Sequence, residues 1–327
     1  MLDMPRKEVI LSTLALRAGY GGKPVLQGLE IEVREGEIVA VIGRNGVGKS
    51  TLMKSLIGLV PAMSGSIVYR GEAVESLPAH KRARLGMGYV PQGRDVFPRL
   101  TVGENVAVGA AIKGGGIPEA GRRKIVEAFP ILAERWTQRA GTMSGGQQQQ
   151  LAIGRVLIAD PNLILLDEPS EGIQPNIVQD IARNMVELNR GTGVTIILVE
   201  QNLDMIRAMA QRCYVMDKGR IVASLDRSAL DDEAEMRRHD RQPAKGFARF
   251  TRFDGSITKC EVLDLSTSGV SLKTAIRPAI GEFVLIGHMA GRVARHHADG
   301  VGIEFVGLGG EKHTTDQLHF SISAGAR

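Results

Sequence analysis

The 327-residue chain is longer than one ordinary domain, and its 43% hydrophobic and 24% charged residues supply apolar material for two globular cores. Its 41 basic and 36 acidic residues leave a formal charge of +5 with no lysine or arginine block and only 4% aromatics, so nothing marks a nucleic-acid binder. Two cysteines, Cys213 and Cys260, exclude a disulfide framework and fit a reducing cytosol, no apolar run is long enough to cross a bilayer, and Met1 to Ser12 lacks the shape of a signal peptide.

The first informative element is the apolar run Glu37 to Ile42, followed by Gly43-Arg44-Asn45-Gly46-Val47-Gly48-Lys49-Ser50-Thr51 and a helical pattern from near Thr51. Strand, glycine-rich loop and helix in this order make a phosphate cradle. Glycines let backbone N–H groups turn toward the anion, Lys49 reaches the β/γ oxygens, Ser50 is placed to hold Mg²⁺, and the positive end of the helix faces the phosphates. A nucleoside triphosphate is the expected ligand.

The segment Thr101 to Arg139 reads as a helical insertion, with Gly114 to Pro118 as a connection and helix-like apolar spacing over Arg122 to Trp136. Ser144-Gly145-Gly146-Gln147 follows, leading into a helix expected over Gln149 to Ala159. Its serine hydroxyl and backbone amides form a second phosphate-binding feature, which must serve another nucleotide or the far side of the same one. Next comes the strand Leu163 to Leu166, ending in Asp167-Glu168-Pro169. After a P-loop, this doublet reads as a Mg²⁺-holding Asp167 and a Glu168 that orients the attacking water, rather than as solvent-facing caps. Val194 to Val199 is a further buried strand, ending at Glu200 and Gln201.

Beyond Asp231-Asp232-Glu233 the pattern changes to short alternating strands, expected at 247–253, 257–263, 270–274, 283–286, 291–296 and 301–306. Six such strands with glycine turns suggest a small barrel, with a short helix or tail over 315–322. Two polar clusters stand out, Arg237-Arg238-His239-Asp240-Arg241 and Asp264-Leu265-Ser266-Thr267-Ser268-Gly269. Taken singly, the first is an ordinary basic helix end and the second an ordinary turn. In order around these strands they offer guanidinium forks for phosphates or guanine, polar groups at Asp264 and Ser266, and close approach at Gly269.

The order of P-loop, Gln92 in Tyr-Val-Pro-Gln-Gly, Ser-Gly-Gly-Gln and Leu-Leu-Asp-Glu-Pro resembles the ATPase subunit of ABC transporters over the first two-thirds of the chain. The fold this implies is an α/β P-loop ATPase with a helical subdomain, residues 1–235 with the subdomain at about 93–145, followed by a small all-β barrel at 236–327. The resemblance also implies ATP and Mg²⁺ as ligands and Ser50, Asp167 and Gln92 as the magnesium set. It implies that Gln92 also contacts the water and reports to a membrane subunit, that Tyr20 stacks on adenine, and that Ser144, Gly145, Gly146 and Gln147 complete a partner's site. The stretch Gln92 to Asn105 and the run Asp167 to Pro175 look like ATPases of importers for branched-chain and other hydrophobic amino acids, amides and urea.

Two positions depart from the common pattern. Gln201 stands where a switch histidine is usual, and Gln174 where an aspartate is usual. An amide can hydrogen-bond a γ-phosphate but carries no charge and exchanges no proton. Both replacements imply pairing with a second, non-identical ATPase, with Glu168 retained for turnover. The implied partners are permease subunits and, indirectly, a periplasmic solute-binding protein, which places the chain at the cytoplasmic face of a bacterial inner membrane through those partners alone. The C-terminal pattern, with Gly300 to Phe305, resembles a PilZ domain, which implies cyclic di-GMP bound by Arg237, Arg241, Asp264, Ser266 and Gly269. The competing expectation is a switch ATPase acting as a signalling adaptor, its barrel a plain interaction module.

Overall fold

The computed structural model describes residues 8–231, 242–243, 247–252, 256–266, 269–286 and 289–305. The chain forms two compact units divided between Glu235 and Met236.

The first unit is built on a six-stranded sheet. In chain order its strands are β3 (Ile38–Ile42), β6 (Met87–Val90), β7 (Leu163–Asp167), β8 (Thr195–Val199), β9 (Arg212–Asp217) and β10 (Arg220–Leu225). They lie in the order β10-β9-β3-β8-β7-β6, all parallel except the antiparallel edge strand β10. Every residue of β3, β7 and β8 is buried, which is why these strands read as unbroken apolar runs. Alternate side chains serve two cores. Leu163 and Leu165 join one that includes helix α1 (Lys49–Ile57), and Ile164 and Leu166 join the helical side.

A second, antiparallel sheet covers the α1 side in the order β2-β1-β4-β5, from β1 (Val9–Tyr20), β2 (Lys23–Arg34), β4 (Ala62–Tyr69) and β5 (Glu72–Ala73). Register shifts along β1, including those around Ala15, break the strict alternation that would have announced it in the sequence. Helix α2 (Ala79–Arg84) follows, and its Arg82 is 1% exposed. The Arg82 guanidinium donates to the carbonyls of Ser55 and Leu56 at 2.7 and 2.8 Å, and to those of Glu75 and Leu77 at 2.9 Å each. It thereby supplies donors to carbonyls in the last turn of the P-loop helix, where Ser55 otherwise has only the capping Gly58 N–H at 3.2 Å.

The opposite face carries α3 (Val102–Ala110), α4 (Glu119–Ala128), α5 (Pro130–Glu134), α6 (Gly145–Leu157) and α7 (Pro175–Thr192), with α8 (Leu203–Met209) and α9 (Arg227–Asp231) later in the chain. The single helix expected over Arg122 to Trp136 is two, because Phe129 leaves helical geometry ahead of Pro130. Helix α6 starts four residues earlier than expected. Ser144 accepts from the Gln147 N–H while the Gln147 side chain accepts from the Ser144 N–H, and this reciprocal cap overrides the low helix preference of two glycines.

The second unit is an antiparallel barrel. Its strands are β12 (Phe247–Arg252), β13 (Ile257–Ser266), β14 (Gly269–Lys273), β15 (Phe283–Ile286), β16 (Met289–His297) and β17 (Gly300–Phe305), with the two-residue β11 (Gln242–Pro243) added on β13. Pairing runs β13-β12-β15-β16-β17-β14 and returns to β13, which closes the ring. Phe250, Val262, Leu272, Ile286, Val293 and Val301 are among the side chains that fill its interior. The six expected strands are these six within a few residues, while the expected element over 315–322 lies outside the described residues.

Candidate functional site

Helix α1 begins directly at Gly48, which takes a left-handed conformation at φ 109° and offers no side-chain cap. No acidic residue occupies the first turn. The amide donors of that turn and the positive helix end are thus left for an anion. Beside them is a cavity of about 330 Å³ lined by Asn45, Gly46 and Gly48 to Thr51, together with Val25, Gln92 and Glu168. A Cβ at Gly48 would sit 2.9 Å from Val25 Cγ1 in a conformation that disfavours side chains. Gly48→Ala is therefore expected to lower ATP affinity at least about tenfold by displacing the start of α1. Titration with a fluorescent ATP analogue checks this, and an unchanged affinity would show that the loop tolerates a side chain.

Lys49 is buried, and its Nζ donates to the carbonyls of Gly43 at 2.7 Å and Arg44 at 3.0 Å, with Glu168 Oε1 3.8 Å away. The ammonium is held inside the loop by carbonyl dipoles and one carboxylate. At the end of β7, Asp167 accepts from Ser50 Oγ at 3.1 Å and from Tyr89 OH at 3.2 Å. Burial raises the Asp167 carboxyl above the ordinary carboxylate range, against the lowering effect of those two hydrogen bonds. A nearby cation would favour its anion. Ser50 and Gln92 line the cavity, and Asp167, which lines the neighbouring groove instead, is joined to it through Ser50; a hydroxyl, a carboxylate and an amide suit Mg²⁺, which keeps waters and phosphate oxygens as most of its ligands. Among the described residues no cluster of three His, Cys, Asp or Glu offers a stronger all-protein metal cage.

Glu168 adopts φ 48°, and its N–H donates to the Val199 carbonyl at 2.8 Å. Both carboxylate oxygens are engaged by amides: Oε2 by Gln92 Nε2 at 3.1 Å, and Oε1 by Gln201 Nε2 at 2.9 Å. Gln201 Nε2 also donates to Asn45 Oδ1 at 2.7 Å, which ties the loop after β8 to the P-loop. The fold therefore brings Gln92, Glu168, Gln201 and Lys49 together from four separate stretches of sequence. Tyr20 is 52% exposed at the end of β1 and does not line the cavity. Neither do Ser144, Gly145, Gly146 and Gln147, which sit at the start of α6.

Three further residues escaped the sequence analysis. Glu200 is 3% exposed and accepts from the N–H groups of Ser170, Gln201 and Asn202 at 3.1, 2.8 and 3.1 Å, so it braces both loops flanking Glu168. Burial is the main influence that raises its carboxyl above the ordinary range. Arg94 donates to the carbonyls of Glu171 and Gly172, and a Cβ on Gly145 would meet its guanidinium at 3.0 Å. Glu171 accepts from Gln92 Nε2 at 2.8 Å. Only the acidic–glycine run after Pro169 hinted at a loop there; the contacts themselves carry no local signature.

Next to Gln92 opens a larger groove of about 780 Å³, lined by Tyr89, Asp95, Phe97, Val108, Ile112 and Arg155 among others. Phe97 and Val108 are each 44% exposed, and Arg155 stacks over Phe97 at 5.2 Å while donating to the Asp95 carbonyl.

In the barrel, Ser266 pairs with Gly269, and Asp264 with Ser271, across β13 and β14. The fold thus brings the backbone positions of Asp264, Ser266 and Gly269 to one end of one strand pair. Arg237 and Arg241 lie outside the described residues.

The ABC transporter family matches residues 26–171, and the PilZ domain matches residues 235–318. The high-affinity branched-chain amino acid transport ATP-binding protein BraG of Pseudomonas aeruginosa is 49% identical over 203 residues, 62% of this chain and 87% of that protein. The probable branched-chain amino acid transport ATP-binding protein LivF of Archaeoglobus fulgidus is 35% identical over 65% of this chain and 90% of its own length. A nucleotide-free ATP-binding cassette from an ABC transporter superposes with a TM-score of 0.62 at 26% identity, covering 71% of this chain and 94% of that one. Another cassette, in its ADP conformation, gives 0.61 at 27% identity, covering 70% and 98%. The chain belongs to the ABC transporter family as an ATP-hydrolysing, ATP-binding subunit, and it carries a PilZ domain at its C-terminal end.

Proposed function

We propose that this ATPase energises an importer for branched-chain or other hydrophobic amino acids, amides or urea, opposite a second, non-identical ATPase, and that its PilZ domain binds cyclic di-GMP. The observation that carries the transport reading is the division of the nucleotide machinery. Lys49, Gln92, Glu168 and Gln201 converge on the P-loop cavity, whereas Ser144 to Gln147 are not among its lining. A loop with phosphate-binding chemistry that does not line its own cavity has a use when it faces another subunit's nucleotide. Gln201 in place of a titratable side chain favours a partner that is not a copy, since two such sites would both lack an imidazole.

In this reading Gly43 to Gly48 supply backbone donors, and the triphosphate replaces the Gly43 and Arg44 carbonyls as the partners of Lys49. Ser50, Asp167 and Gln92 would hold Mg²⁺, which would supply neutralisation of the phosphate charge. Glu168 orients the attacking water, with Gln201 fixing the carboxylate against Asn45. Tyr20, exposed at the end of β1, supplies the adenine contact. The groove beside Gln92, with its exposed Phe97 and Val108, receives the permease, so the chain sits on the inner face of the membrane through its partners. Among the described residues no helix is long and apolar enough to cross a membrane. The 49% identity to BraG supports amino acids as cargo.

Copurification of the full-length chain from membranes tests this directly. The expected companions are permeases and one different ATPase; recovery with neither would favour the adaptor reading. For the second domain, calorimetry with cyclic di-GMP is expected to show binding that Arg237→Ala with Arg241→Ala abolishes, while ATP affinity stays unchanged. Binding that survives the double replacement would remove the two arginines from the ligand set.

A further inference from the structure

We propose that Glu171 is a positioning residue that fixes the orientation of the Gln92 side-chain amide, and with it the oxygen that Gln92 presents to the magnesium–nucleotide site. This rests on the ATP-site reading above. The Gln92 Nε2 lies 2.8 Å from Glu171 Oε2 and 3.1 Å from Glu168 Oε2. An amide nitrogen has two N–H donors, and ionised carboxylates only accept. With both donors directed to two carboxylates, the amide oxygen is turned to the opposite edge. The flipped amide would set that oxygen against two anions, so charge decides the orientation.

Glu168 alone does not fix it. Its Oε2 engages only one of the two N–H groups, and its Oε1 is taken by Gln201 at 2.9 Å. Glu171 supplies the second anchor, and its own place is secured from the same segment that carries Gln92. Arg94 Nη2 donates to the Glu171 carbonyl at 3.0 Å and to the Gly172 carbonyl at 3.3 Å, while the Glu171 N–H donates to the Glu168 carbonyl at 3.2 Å. The loop after β6 thus grips the loop after β7 with two side chains, the Arg94 guanidinium on backbone carbonyls and the Gln92 amide on two carboxylates. Glu171 does not line the P-loop cavity. Its influence on the nucleotide therefore passes through Gln92.

The test compares the full-length wild type, Glu171→Ala and Glu171→Gln in equilibrium binding of a fluorescent ATP analogue, titrated with Mg²⁺ and repeated in EDTA. The alanine variant is expected to match wild type in EDTA but to need about tenfold more Mg²⁺ for half-maximal enhancement of binding, the scale of one lost charge-assisted hydrogen bond. Glutamine keeps a carbonyl acceptor but not the charge and is expected to recover only part of the shift. In a Gln92→Ala background, Glu171→Ala should then have no further effect, because its route is gone. A Mg²⁺ midpoint unmoved by Glu171→Ala overturns the proposal, as does a shift of the same size without Gln92. If the wild type itself gains no affinity from Mg²⁺, the magnesium role of Gln92 fails and this proposal falls with it.

Discussion

Glu168→Gln is expected to reduce ATP turnover about 10²- to 10⁴-fold, the usual contribution of a positioned acid–base group, while ATP affinity stays within about twofold. The substitution keeps the shape of the side chain and one acceptor oxygen but removes the negative charge. Glu168 sits at φ 48° directly after β7, held by its N–H to Val199, so the backbone should not follow the change. The charge matters because Lys49 lies 3.8 Å from Oε1, and because Gln92 and Gln201 each donate to one carboxylate oxygen. A glutamine at 168 must set its own N–H₂ against one of those donors, which loosens the amide frame as well as removing the charge. Turnover measured in the assembled complex, beside nucleotide binding on the isolated chain, separates the two effects. Hydrolysis at the wild-type rate would take Glu168 out of its assigned role.

Arg82→Ala is expected to destabilise the N-terminal unit by about 3–5 kcal/mol, among the largest effects any single replacement here should have. The side chain is 1% exposed and donates to four carbonyls, two of them at the end of α1. Truncation removes a donor from each of these carbonyls, leaving Ser55 only the Gly58 N–H at 3.2 Å, and opens a cavity between α1 and α2. Gly58, left-handed at φ 89°, closes α1 beside it and, with no side chain of its own, brings nothing to fill the space. Lysine would restore a charge but not the planar fork that reaches separate carbonyls. Urea unfolding followed by the fluorescence of Trp136, the sole tryptophan, reads this unit alone. A loss below about 1 kcal/mol would mean that water replaces the guanidinium at little cost.

The same site shows how far local chemistry extends. Asp167 was legible because a carboxylate after a buried strand, downstream of a P-loop, has few other uses. Its hydrogen bond from Ser50 joins residues 117 positions apart, and nothing in either neighbourhood announces that distance. Arg82 was illegible for the same reason: an arginine in a short basic helix reads as solvated, and only the packing of α2 on the end of α1 buries it. The antiparallel sheet of β1, β2, β4 and β5 was missed because its register shifts scramble the two-residue period.

What the sequence determined by itself was everything written in contiguous residues. That covers the P-loop with its left-handed glycines, the fully apolar strands β3, β7 and β8, the helix that follows Ser-Gly-Gly-Gln, and the six alternating strands of the barrel. Steric limits on φ, side-chain period and the need to bury apolar surface act over a few residues, so short runs suffice to specify them. The tertiary structure alone decided which amide meets which carboxylate: that Gln201 bridges Asn45 and Glu168, that Glu200 braces two loops, and that Glu171 shares Gln92 with Glu168. Those pairings depend on the order of strands in the sheet, which sets distant strand ends side by side, and hydrogen bonds form only between groups that the completed fold has already brought within about 3 Å.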